Sequence, residues 1–461
     1  MDPRPTNDPN RPELARDLGL SHAGAVVVGT IIGSGIFLVP TEMMQAVGSA
    51  RIVYLAWVVG GLLSFFGALT YAELGAMKPQ AGGEYVYVRD GYGPLAGFLY
   101  SWTTFLISKP ASIATITTGL VRILATFPAF FFLPHPFLSQ PFTVSYGQLV
   151  AIAAAVLVSW LNYIGVRRAG DFQFLFTLLK VAIILGIVAV GFSYSGGTWS
   201  NFATEFTGAK GGVAGFFAAL VAALWAYDGW NDLNMVAGEI RNPQRNIPLS
   251  LIWGVAAVGA LYIMVNAAVQ YVLPAAAVAA SERPASDAVA LVLGHAGAGL
   301  VSAGMAISML VTLNGSTMSG ARVPFATARD GYFFKSIAQV HPRFHTPSVA
   351  IIVQCGLAVI LLLLGGSFRQ FFSLAIFSEW LFYLVTASTV FIFRRREPNL
   401  QRPYRVLGYP VVPAVFVLVS AVLLCYTFTA NLKSSAAGCL VILAGVPVFY
   451  FFARRRTSTP K

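Results

Sequence analysis

Two short stretches of this chain set glycine and polar atoms inside otherwise apolar runs. They are Gly33-Ser34-Gly35-Ile36-Phe37, with Pro40 just beyond, and Tyr227-Asp228-Gly229-Trp230-Asn231-Asp232. Neither is good material for an unbroken helix, because glycine weakens a helix and polar side chains in an apolar environment need partners. Interrupted at these points, the chain would expose main-chain groups. A helix that starts again after the first break presents unpaired N–H groups and the positive end of its dipole, which suit a carboxylate. The opposing half-helix ends present carbonyl oxygens, which suit an ammonium. A zwitterionic α-amino acid satisfies both. The residues that would hold it include Gly33, Ser34 and Gly35 in the first break and Asp228 and Asn231 in the second. The plainer alternative is that the glycines only let helices pack closely.

Other groups in the apolar runs carry charge or hydroxyls. Lys180 lies about ten residues into its run, too deep for its stem to bring the ammonium comfortably to either surface, so it needs carbonyl, hydroxyl or carboxylate partners. Asp228 would place negative charge beside a bound side chain and favour some tolerance of cationic amino acids; alternatively it caps a half-helix or pairs with Lys180 or another cation. Glu379, beside Trp380, either lines the pocket or is an interhelical carboxyl. Ser308 and Thr312 are four apart and share a helix face, so both could offer hydroxyls to the pocket, although such hydroxyls more often bond main chain. Lys109, before Pro110, reads as a buried anchor, and Arg122 as a snorkelling side chain. Glu73 and Lys78 read as solvated or gating ion pairs at a helix exit. His341 and His345 sit in a basic loop without acidic or cysteine neighbours and read as solvated rather than metal-binding; no metal or other cofactor is expected. Cys355, Cys425 and Cys439 fall in apolar runs and suggest neither a disulfide framework nor a metal site.

The elements that must hold these groups are membrane helices. Of 461 residues 57% are hydrophobic and 10% charged, with mean hydropathy +0.71, far from the quarter charged of a soluble domain. Runs long enough to span a bilayer occur at 20–46, 53–77, 94–126, 145–166, 171–193, 213–239, 247–273, 287–321, 346–366, 370–393, 409–429 and 434–453. The third and eighth are long enough to tilt or to end in short surface helices. The first 19 residues have no signal-peptide core and read as a cytoplasmic tail. With the N-terminus inside, 22 of the 30 Lys and Arg residues fall on the cytoplasmic side. Five fall outside (Arg51, Lys210, Arg283, Arg369 and Lys433), and Lys109, Arg122 and Lys180 lie within spans. This asymmetry predicts that both termini are cytoplasmic. It also accounts for the net charge of +12 without any nucleic acid partner.

Gly35 and Gly229 stand in the first and sixth runs. An offset of five helices is odd, so a second copy of the first five would lie inverted in the membrane, as in alternating-access carriers. The expected organisation is a tail (1–19), a first five-helix repeat (20–193), a second (194–393), helices 11 and 12 with a basic loop (394–453) and a C-terminal tail (454–461).

At these motifs the sequence resembles the amino acid–polyamine–organocation transporters, most closely their L-amino acid transporter branch. Gly29-Thr30-Ile31-Ile32-Gly33-Ser34-Gly35-Ile36-Phe37 is similar to that family's first-helix signature. Tyr71-Ala72-Glu73-Leu74-Gly75 and Gly82-Gly83-Glu84-Tyr85 resemble its second-helix exit and the loop beyond. Ala226-Tyr227-Asp228-Gly229-Trp230-Asn231, then Asn242-Pro243 and Arg245-Asn246-Ile247-Pro248, resemble its helix 6 region. Asn314-Gly315-Ser316 and Ala328-Arg329-Asp330-Gly331 resemble helix 8 and its exit. The likeness runs from helix 1 through helix 10. It implies an all-α integral membrane protein of the LeuT type, with two inverted five-helix repeats, broken helices 1 and 6, and added helices 11 and 12. It implies sodium-independent amino acid transport, commonly by exchange. It puts the substrate carboxylate on Ile31, Ser34 and Gly35, a gate at Trp225 next to Ala226, and a role for Lys180 where sodium-coupled relatives hold their ion. Glu379 matches a position that is polar and near the substrate in relatives. Many animal members are disulfide-linked to a heavy subunit through a cysteine after helix 3; the loop at 127–144 has none, so no such partner is expected.

The resulting expectation is a plasma-membrane protein (inner membrane if bacterial) that exchanges L-amino acids, with a proton-coupled importer as the alternative. An integral-membrane enzyme is disfavoured, because no metalloprotease, nucleophile-elbow or phosphate-loop motif occurs.

Overall fold

The computed structural model describes residues 13–138, 143–365, 368–430 and 432–457. The expected tails therefore lie largely outside the described residues at their far ends. The chain is nearly all helix. The first interrupted helix is α1 (Leu20–Ile31) and α2 (Gly35–Val47). Next come α3 (Ala50–Met77) and the short α4 (Glu84–Tyr92). Then α5 (Pro94–Thr103) leads through a π-helical turn at Thr104–Ser108 into α6 (Lys109–Leu124). A small hairpin, β1 (Pro136–Leu138) with β2 (Val144–Ser145), precedes α7 (Tyr146–Tyr163) and α8 (Val166–Phe192).

The second interrupted helix is α9 (Gly212–Ala226) and the single turn α10 (Asp232–Met235). It is followed by α11 (Pro243–Val272), α12 (Ala275–Ala280), α13 (Pro284–Gly320) and α14 (Arg322–Arg329). The chain closes with α15 (Ser348–Leu364), α16 (Phe368–Arg396), α17 (Val411–Ala430) and α18 (Leu432–Thr457). Among the described residues, eight helical segments are long and apolar enough to cross a bilayer, counting α1 with α2 as one and α13 with α14 as one. Two shorter apolar helices, α9 and α15, add to these. The long eighth run changes direction at Gly294 (φ 70°) inside α13.

Helical backbone is what an apolar solvent requires, since every N–H and C=O must find a partner within the chain. The outward faces are apolar: Leu157, Trp160, Leu175, Trp253 and Leu300 are all exposed. Between helices, small residues permit close approach. A methyl group on Gly254 of α11 would lie 2.7 Å from Val27 of α1, and one on Gly191 of α8 would lie 2.9 Å from Ala268 of α11. The core that results packs α1 against α8, α11 and α13, and α2 against α9. This arrangement puts both breaks at the centre.

Candidate functional site

The first break begins at Ile32, whose ψ of 85° leaves the helix, and Gly33 closes a tight turn onto Ile31 O at 2.8 Å. The chain re-enters helix at Gly35, so the N-terminus of α2 opens at the break. The second break holds Gly229 at φ 105°, a conformation in which a side chain would be strained. A methyl group there would also stand 2.9 Å from Thr30 Cγ2. Gly35 faces the other break just as closely: an added methyl would meet Ala226 Cα at 2.9 Å. The two interruptions are thus in contact. One buried hydroxyl serves both, for Tyr262 Oη of α11 stands 3.0 Å from Ile31 O and 2.8 Å from Ala226 O.

Beside the breaks lies a cavity. Its wall takes Ile31, Gly33, Ser34 and Gly35 from the first break, and Trp225, Ala226, Asp228 and Asn231 from the second. Thr312 from α13 and Glu379 from α16 complete the residues expected from the sequence. Ser308 does not line it. Its hydroxyl donates to Ile32 O at 2.8 Å, so it braces the break from behind. Thr312 does both, lining the cavity and lying within reach of Ile32 O and Gly29 O.

Lys180 also stands behind the first break. Its buried ammonium donates to Gly29 O (2.8 Å), Ile32 O (2.6 Å) and Ser308 O (3.1 Å), which joins α8 to α1 and α13. It does not pair with Asp228. The Asp228 carboxylate instead accepts from Tyr383 Oη at 2.5 Å, and the same hydroxyl lies 2.9 Å from Asn231 Oδ1. The amide of Asn231 donates in turn to Glu84 at 3.2 Å.

Glu84, in the short non-spanning helix α4, lies at the end of this chain of bonds. It is 1% exposed and also accepts from Tyr71 (3.0 Å) and Tyr100 (2.5 Å). Burial raises its pKa from the ordinary carboxylate value to about 7, against the lowering pull of the Tyr100 and Tyr71 hydrogen bonds. A side cavity shared by Glu84, Lys109, Asn231, Glu379 and Tyr383 adjoins the central one.

Three charges singled out in the sequence find their partners here. Lys109 has a definite partner, an ion pair with Asp232 in the cavity wall. Of the solvated and gating ion-pair readings of Glu73, the structure shows a buried ion pair, with Arg394 Nη2 at 2.7 Å and Arg402 Nε at 3.4 Å. Arg122 does reach outward, to 3.7 Å from Glu282. Sequence reasoning missed Tyr262, Tyr383, Asp232 and Glu84 as parts of the site. Tyr383 had a signal, since it lies one turn beyond Glu379, as did Glu84, which sits in a motif already noted. Among the described residues, no three His, Cys, Asp or Glu side chains gather to hold a metal.

An outwardly apolar bundle that wraps two interrupted helices around a polar, charged cavity has the build of a membrane-embedded carrier of small solutes. The comparisons make the class particular. The profile of the amino acid permease family matches residues 18–452, and the chain belongs to that family. It is similar to the serine/threonine exchanger SteT of Bacillus subtilis (strain 168), at 32% identity over 96% of this chain and 98% of that protein. It is similar as well to the b(0,+)-type amino acid transporter 1 of Homo sapiens, at 32% identity over 97% of this chain and 89% of that protein. The Asc-type amino acid transporter 1 of Mus musculus is 32% identical over 95% of this chain and 82% of its own length. The chain is accordingly a transporter and not an enzyme.

Proposed function

We propose that the chain is a sodium-independent exchanger of L-amino acids that works by alternating access around the central cavity. The observation that carries this reading is the meeting of two helix breaks at one polar cavity. The opened start of α2 offers N–H groups for a substrate carboxylate, with Ser34 and Gly35 in the wall. Sodium independence is supported by the Lys180 ammonium. It occupies a cluster of carbonyl oxygens of the kind that would otherwise coordinate a small cation. Exchange is what SteT's name describes for that protein, and the likeness over nearly the full length of both chains supports it here.

The proposal includes twelve spans in two inverted five-helix repeats (20–193 and 194–393) with two added helices. It includes cytoplasmic termini, a plasma-membrane or bacterial inner-membrane location, and function without a disulfide-linked heavy subunit. Asp228, with its carboxylate in the cavity wall, extends the range from neutral to cationic side chains. The test is counterflow in proteoliposomes loaded with unlabelled amino acids, with no sodium or proton gradient. Labelled Ala, Ser, Leu, Arg and Lys should enter only when internal amino acid is present. Uptake that instead requires an inward proton gradient would replace exchange with proton-coupled import, a reading favoured by the buried Glu84 beside the cavity. Asp228→Asn should lower the cationic-to-neutral ratio; an unchanged ratio removes Asp228 from selectivity.

A further inference from the structure

The acidic and basic groups of the central cavity are unequal in number. Asp228, Asp232 and Glu379 stand in its wall, and Lys109 is the one cation among its described lining residues. That lysine is built in. It opens α6 directly after the π-helical turn, only 7% exposed, and its ammonium pairs with Asp232, itself 1% exposed. Its stem runs against Gly320 of α13, where an added methyl would meet Lys109 Cγ at 2.8 Å, so the glycine leaves room for the aliphatic chain. Asp228 is occupied differently, by a tyrosine hydroxyl that brings no charge.

An ammonium on a four-carbon stem, set against a buried carboxylate in a substrate cavity, has the same chemistry as the side chain of a lysine substrate. We propose that Lys109 is a specificity-determining residue, a tethered counter-ion that holds Asp232 closed to cationic side chains and so sets the balance between neutral and cationic amino acids. A neutral zwitterion leaves the ion pair intact. A cationic substrate finds Asp228 and Glu379 available and Asp232 already filled. Without Lys109, a buried carboxylate at Asp232 has no counter-ion, and an incoming ammonium or guanidinium can take the vacated place. This rests on the exchange reading above, and the test separates the two.

The experiment compares wild type, Lys109→Met, Asp232→Asn and the double variant Lys109→Met/Asp232→Asn by counterflow with labelled Lys, Arg, Ala and Ser. Methionine keeps the stem that packs on Gly320. The cationic-to-neutral ratio should rise at least tenfold in Lys109→Met, fall in Asp232→Asn, where an unpaired ammonium repels cations, and return towards wild type in the double variant. The double variant buries neither charge, so it guards against loss of folding. The proposal is overturned if Lys109→Met and the double variant share one ratio, or if Asp232→Asn favours cations. If wild type exchanges no amino acid, the functional reading fails, and thermal stabilisation still decides the inference. Lysine should then raise the melting temperature of Lys109→Met more than that of the double variant, and equal shifts refute it.

Discussion

Replacing Lys180 with methionine keeps most of the stem and deletes the ammonium that three carbonyls share. Each hydrogen bond from a charged donor is worth roughly 1.5–3 kcal/mol. Three would suggest a very large loss, but two effects reduce it. Burying the ammonium itself costs several kcal/mol, which the substitution recovers. The carbonyls also keep other donors nearby: Ser308 Oγ at 2.8 Å from Ile32 O, and Thr312 Oγ1 at 3.1–3.3 Å from Ser308 O, Ile32 O and Gly29 O. Thr312 has one hydroxyl proton, so it can satisfy one of these carbonyls at a time. Ser308 O also accepts the Thr312 N–H within α13, so the loss falls on Gly29 O, which keeps only the long Thr312 contact at 3.3 Å, at about 1–3 kcal/mol. The affected carbonyls belong to the break that must hold its shape for substrate, so the loss falls on transport: about 10- to 100-fold, at 1.36 kcal/mol per decade. The assay is the initial counterflow rate per reconstituted molecule, with melting temperature measured alongside. Lys180→Met at more than half the wild-type rate would refute the bracing role. So would a loss fully explained by unfolding. Adding Ser308→Ala should deepen the defect more than additively, because both groups serve Ile32 O.

Three further outcomes follow from the same geometry. Glu84 holds its proton in the folded protein up to about pH 7, whereas an unfolded chain loses it near 4.5. Stability should therefore fall as pH rises through that window, by at most about 3 kcal/mol, and Glu84→Gln should flatten the slope in melting curves taken from pH 5 to 8; parallel wild-type and variant curves would count against it. Arg322 and Glu239 pair at 2.7 Å with both side chains fully buried. Arg322→Met should destabilise by about 3–5 kcal/mol, and adding Glu239→Gln should restore much of it, because the penalty lies in the abandoned charge; a double variant no better than the single would show otherwise. Gly35→Ala sets a methyl 2.9 Å from Ala226 Cα, an overpacking cost of about 1–3 kcal/mol. Exchange should drop at least tenfold while the protein is still made and inserted, and normal exchange would mean that the breaks need not touch.

Much of this was legible in the residues alone. Composition requires lipid as the solvent, because a chain with 10% charged residues cannot clothe itself for water. The breaks were legible because glycine and polar groups in the middle of apolar runs contradict a continuous helix, and local chemistry suffices to read that contradiction. So was the need of Lys180 for oxygen partners, since a charge at that depth cannot stand alone.

What the sequence left open are the pairings. Whether Asp228 meets Lys180, Lys109 or a tyrosine depends on which faces of α6, α8 and α16 turn towards the break, and those faces come from segments far from Asp228 along the chain. Tertiary packing assigns Lys180 to carbonyls, Lys109 to Asp232, and Tyr383 to Asp228 and Asn231 together. It also brings Glu73, at a helix exit in the sequence, into full burial between two arginines. The sequence by itself determined the solvent, the breaks and the family. Only the tertiary structure decided which charge answers which, because an ion pair is a matter of a few ångströms between distant segments and no local pattern encodes that distance.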